Sequence, residues 1–120
     1  MKKRMSMARR KMSHVIDELY TALFLMGGKE VALRIVKEED GLRLLIRGDF
    51  APDHQKHAEG LKELLCPAVR NPALVGAYWE LAGRDQYTSD SELALVGQML
   101  DGAEITVGEG QVEMSLYLAF

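Results

Sequence analysis

Apolar residues recur along this chain with two distinct periods, and the switches between them mark out its elements. After Ser13, a suitable N-cap, Val15, Ile16, Leu19, Ala22, Leu23 and Met26 follow at helical spacing. The opposite face of that helix carries His14, Asp17, Glu18 and Thr21. Gly27-Gly28 ends it, because glycine accepts the left-handed cap conformation. The period then falls to two. Val31, Leu33 and Ile35 define a strand over 30–37, and Leu42, Leu44 and Ile46 another over 42–48. Asp40-Gly41 between them reads as a tight hairpin turn.

Helical spacing returns after the turn Asp49-Phe50-Ala51-Pro52. A second helix is expected from Asp53 to Leu65, burying Ala58, Leu61, Leu64 and Leu65. Asn71-Pro72 pairs a cap with a proline in the first turn and starts a third, with Leu74, Val75, Tyr78, Trp79 and Leu81. A polar loop over 83–90 precedes a fourth helix over 91–100. Two strands close the chain, over 103–107 and 111–118, joined at Gly108-Glu109-Gly110. The order α-β-β-α-α-α-β-β predicts an α+β fold. Its form is a two-layer sandwich with a four-stranded, mostly antiparallel sheet and helices on one face. The other face is left partly to solvent or to a partner.

Length and composition add bounds. The 120 residues suit one domain, and 48% apolar with 28% charged residues is an ordinary globular balance. Charge is less even than the net −3 suggests. Residues 1–12 hold six of the 15 basic residues (Lys2, Lys3, Arg4, Arg9, Arg10, Lys11) and no acid. The remaining 108 residues therefore set nine basic against 18 acidic side chains, a net −9. Residues 1–12 read as a basic, solvated N-terminal tail and 13–120 as the single domain. So acidic a body argues against nucleic-acid binding by the fold itself. His14, Asp17 and Glu18 interrupt the apolar stretch that follows the basic start, and no small-residue cleavage site comes after it. Every apolar run is shorter than a membrane span, so a cytoplasmic protein is expected.

Chemically suggestive residues are few. His54 and His57 share a helical face beside Asp53 and Glu59, but third and fourth metal ligands are not evident. The single cysteine, Cys66, excludes an internal disulfide and has no evident partner histidine, so it reads as a small core residue.

The strings ELALVGQML (Glu92–Leu100) and AEITVGEGQVEMSLYLAF (Ala103–Phe120), with the helix, glycine turn and hairpin of Asp17–Ile46, resemble the GHKL superfamily. This is the ATP-binding domain of histidine kinases, gyrases and mismatch-repair ATPases. The resemblance spans about residues 13–120 and implies a nucleotide site built at three places. In the family, an asparagine on the first helix helps bind Mg²⁺, and in hydrolytic members an acid four residues earlier activates water. Thr21 and Asp17 fall at those positions here. After the second strand the family has an Asp-x-Gly-x-Gly turn, whose aspartate accepts from the adenine amine. Here Asp49 matches the aspartate, but Phe50, Ala51 and Pro52 replace the open backbone. A Gly-x-Gly loop that meets the phosphates becomes Ser91-Glu92-Leu93-Ala94-Leu95.

All three motifs depart from the pattern. The expectation is therefore a non-catalytic, GHKL-like regulatory or protein-interaction domain. It needs no cofactor and acts through a protein partner or self-association. Phe24 and Leu25, apolar but outside the core stripe, are the candidate contact. The alternative is a divergent nucleotide-binding, kinase-like or anti-sigma-type protein, in which Asp17, Thr21 and Asp49 would hold the cofactor.

Overall fold

Four strands form one antiparallel sheet in the order β1-β2-β4-β3: β1 (Val31–Lys37), β2 (Gly41–Asp49), β3 (Gly102–Val107) and β4 (Gln111–Ala119). They belong to a computed structural model that describes residues 2–66 and 89–120. Among the described residues three helices accompany them: α1 (Lys2–Leu25), α2 (Gln55–Leu65, entered through a 3-10 turn at Pro52–His54) and α3 (Ser89–Met99). The helix expected from Asn71 and most of the polar loop after it lie outside the described residues.

The sheet's register explains its two faces. Leu42, Leu44 and Ile46 of β2 stand opposite Leu118, Leu116 and Met114 of β4, and Met114 in turn faces Ile105 of β3. All seven side chains are buried. They form the floor on which α1 lies over β2 and β4 and α2 lies over β3, while α3 packs against both helices. Intervening residues point the other way. On that outer face, Arg43 binds Glu38 (Nε–Oε2 2.9 Å), donates to Ser115 Oγ (3.1 Å) and lies 5.1 Å from the Tyr117 ring centre. The Tyr117 hydroxyl donates to Asp40 (2.6 Å), which pushes its pKa up to about 12.

The first hairpin turns one residue earlier than the sequence suggests. Lys37 pairs with Leu42, and Glu38 N donates to Gly41 O (2.8 Å), so Glu39-Asp40 forms the tip. Gly41 does not take positive φ. It is already in β2, where a Cβ would strike the Tyr117 ring. The glycine thus serves close packing across the strands rather than turn geometry.

The larger correction concerns the N-terminus. Residues 2–12 are not a solvated tail and Ser13 is not an N-cap: α1 begins at Lys2, and Ser13 Oγ donates back to Arg9 O (3.1 Å) in the middle of the helix. Ala8 and Met12 extend the stripe of Val15, Leu19, Leu23 and Met26 at spacings of three and four, and both are buried in the core. Arg4, Arg9 and Arg10 stay exposed. Lysine, arginine, methionine and alanine are all strong helix formers. A basic composition therefore conceals a helix whose apolar face continues into the body.

The C-terminus of α1 is as the sequence suggests. Gly27 has φ +85°, Gly28 N donates to Leu23 O (2.9 Å) and Gly27 N to Phe24 O (3.0 Å), the bond pair of a Schellman cap.

Because Met12 is a core residue, Met12→Ala is expected to cost about 2–5 kcal/mol, read as a lower urea midpoint at unchanged slope. Arg9→Ala, on the exposed side, should change stability by less than about 0.5 kcal/mol.

Candidate functional site

The resemblance names three places: one face of α1, the turn after β2 and the start of α3. Each is built from side chains with identifiable duties. Asp49, at the end of β2, accepts from the backbone amides of Lys29 (2.8 Å) and Glu30 (3.0 Å) through one carboxylate oxygen. These bonds favour the ionised form and hold its pKa below the ordinary aspartate value. It borders an open cleft of about 370 Å³ lined by Lys29, Glu30, Ala32, Arg47, Gly48 and Gln111.

The residues after Asp49 are turned inward. Phe50 is buried and its amide donates to Gly110 O (3.1 Å). The Ala51 amide donates to Met26 O (2.9 Å), and Pro52 has no amide to offer. The backbone donors of this turn are therefore spent on the fold. Gln55 adds a second tie. Its Nε2 donates to Gly108 O (3.0 Å) and its Oε1 accepts from Gly110 N (3.2 Å), fastening the start of α2 to the β3–β4 hairpin.

On α1, Asp17 and Thr21 are exposed on the side away from the sheet. The Tyr20 hydroxyl hydrogen-bonds Asp17, which raises the tyrosine pKa. The structure does not bring Asp17, Thr21 and Asp49 together. The side of α1 that meets the other helices carries His14, Glu18 and Ala22 instead. His14 Nε2 lies 3.8 Å from Glu92 Oε2 of α3. Glu18 is half-buried, and burial first, then the charges of Glu92 and Asp17, raise its pKa. Ala22 lines a small, partly open pocket with Leu25, Met26, His54, His57, Leu61 and Leu93. That pocket measures about 50 Å³. Closure there is tight: Gly97 of α3 packs so near Leu64 that a Cβ would collide with its carbonyl.

The remaining candidates lie on α2 and at its ends. The rings of His54 and His57 sit 6.2 Å apart, and no third metal-ligating group gathers with them among the described residues. Cys66 is half-buried against the core, with its thiol 3.5 Å from Ala103 O. Sequence reasoning missed the grouping of His14, Glu18 and Glu92. The spacing of His14 and Glu18, one helical turn apart, was its only visible sign. No described helix is long and apolar enough to cross a membrane.

Comparison of the chain with family models, with curated proteins and with solved structures gives no match.

Asp49 supplies a pH test of its structural duty. Its folded-state pKa is depressed, so its stabilisation is fully present above the unfolded value of about 3.9 and is lost as pH falls through the folded value. Asp49→Ala should therefore be less stable than the parent at neutral pH. In thermal melts, the gap between the two proteins should narrow steadily below about pH 3.9.

Proposed function

We propose that this chain is a cytoplasmic, non-catalytic protein-interaction domain on a histidine-kinase-type ATPase scaffold, working without nucleotide. The observation that carries this reading is the packed junction of α1, α2 and α3. In the GHKL family, which the chain resembles in element order and closing strings, a nucleotide would lie against these helices. Among the described residues, Ala22, Met26, Leu61 and Leu93 line a pocket of about 50 Å³. A small-molecule site generally needs about 300 Å³ or more. The turn amides are occupied, Asp49 is engaged with its own chain, and Glu92 adds negative charge at the helix start where a phosphate would otherwise be favoured.

The contact surface proposed lies on the opposite flank of α1. His14, Glu18 and Ala22 face α3 and α2, while Ile16, Tyr20 and Phe24 run at spacing four along the other side. Tyr20 and Phe24 stack edge-on at 6.1 Å. Beyond β2 on that side stands β1, an edge strand not covered by α1, whose Leu33 and Ile35 are 42% and 53% exposed on the helix-facing side of the sheet. Exposed apolar groups beside an unpaired strand edge are features that proteins ordinarily cover. The occupant we assign is a second copy. α1 carries exposed basic residues in its first half (Arg4, Arg9, Arg10) and the exposed Asp17 further on, so two antiparallel copies set opposite charges together.

Two measurements test the reading. Calorimetry with millimolar Mg·ATP should show no saturable heat. A micromolar isotherm that disappears in Asp49→Ala would instead establish the divergent nucleotide-binding protein. Sedimentation at high protein concentration should show a dimer that weakens with salt and dissociates in Phe24→Glu. A monomer under those conditions would remove the second copy as the occupant.

A further inference from the structure

We infer that His14, Glu18 and Glu92 form a binding site for a first-row divalent transition-metal ion, Zn²⁺ foremost, bridging α1 and α3. The three side chains are half-buried, and each offers one ligand atom within 4.8 Å of the other two. In a tetrahedral site with metal–ligand distances near 2.0–2.1 Å, ligand atoms stand about 3.3 Å apart. His14 Nε2 and Glu92 Oε2, at 3.8 Å, need to close by only a few tenths of an ångström. A glutamate reaches the remaining distance by rotating about its own side-chain bonds.

The local sequence prepares two of the ligands. His14 and Glu18 are four residues apart on a continuous helix and project from one face of it. The third comes from the first turn and a half of α3, held against α1 by the core residues Leu93 and Val96. Packing thus presents the donors on two rigid elements rather than on a loop, which keeps the site formed before the ion arrives.

Electrostatics favour occupancy. Glu18 faces the carboxylates of Glu92 and Asp17, and Glu18 and Glu92 are partly withdrawn from water. A protonated His14 could offset one negative charge, whereas a divalent ion offsets both. The positive end of the α3 dipole opposes a cation, but it amounts to about half an elementary charge against two carboxylates. Ligand type then selects the ion. Carboxylates alone would suit Mg²⁺ or Ca²⁺, while an imidazole nitrogen shifts preference to Zn²⁺ and its first-row neighbours. Three protein ligands leave a fourth position for water or for a donor from a bound partner.

The test uses the full chain, stripped with a chelator and kept free of nucleotide. Calorimetric titration with Zn²⁺ should give one saturable site per chain, and the same addition should raise the thermal midpoint. His14→Gln and Glu92→Gln should each weaken binding by about tenfold or more, with circular dichroism showing that each variant remains folded. A His54→Ala, His57→Ala double variant should bind like the parent. The proposal is overturned if Zn²⁺ gives no saturable binding up to millimolar concentration. It is equally overturned if binding survives Glu92→Gln but is lost in the His54/His57 variant, or if Mg²⁺ or Ca²⁺ binds more tightly than Zn²⁺.

Discussion

The end of α1 and the end of β2 are tied to each other by a short set of hydrogen bonds, and the position of the helical layer on the sheet depends on that junction. Gly27 and Gly28 turn the chain out of α1 through their cap bonds to Phe24 and Leu23. Asp49 then accepts from the next two amides, and Ala51 donates back to Met26 O. The backbone here has no slack. A Cβ on Gly28 would run into the Asp49 and Leu23 carbonyls. With its last turn anchored in this way, α1 lays Leu23, Leu19, Val15, Met12 and Ala8 along the buried floor of the sheet.

The same junction occupies the backbone donors of the turn after Asp49. A ligand-binding turn must keep donors in reserve and leave space in front of them. Here the donors satisfy carbonyls of the fold, Phe50 fills core volume, and among the described residues Ala22, Met26, Leu61 and Leu93 line a pocket of only about 50 Å³. Stability and ligand binding compete for the same backbone groups, and in this chain the fold uses them.

What the packing does not use is placed on two flanks of α1. One flank meets α3 and holds the histidine and the two glutamates. The other looks over the uncovered edge strand with Tyr20 and Phe24. The separation has a geometric cause. α1 is centred over β2 and β4, so its inner stripe is consumed by the sheet and its sides face either the next helix or the open edge. Any chemistry on the α3 side is independent of association on the β1 side, because the helix body lies between them.

The sequence by itself determined the sheet, its two hairpins, the glycine cap and the inner stripe from Val15 to Met26. All of these rest on local periods of two and 3.6, or on the backbone freedom of one glycine. It also showed that no glycine follows Asp49 in its turn, since Phe50-Ala51-Pro52 is legible without coordinates. Where composition outweighed period it misled: six basic residues masked the helical continuation through Ala8 and Met12. A turn rule likewise placed Gly41 in a loop, although its neighbour across the sheet, Tyr117, is what requires it. The meeting of His14 and Glu18 with Glu92, and the exposure of Leu33 and Ile35, were decided by tertiary structure alone. Both depend on where one helix crosses another and how far it covers the sheet. Those quantities follow from side-chain volumes in contact, such as Gly97 against Leu64, between residues far apart in the chain.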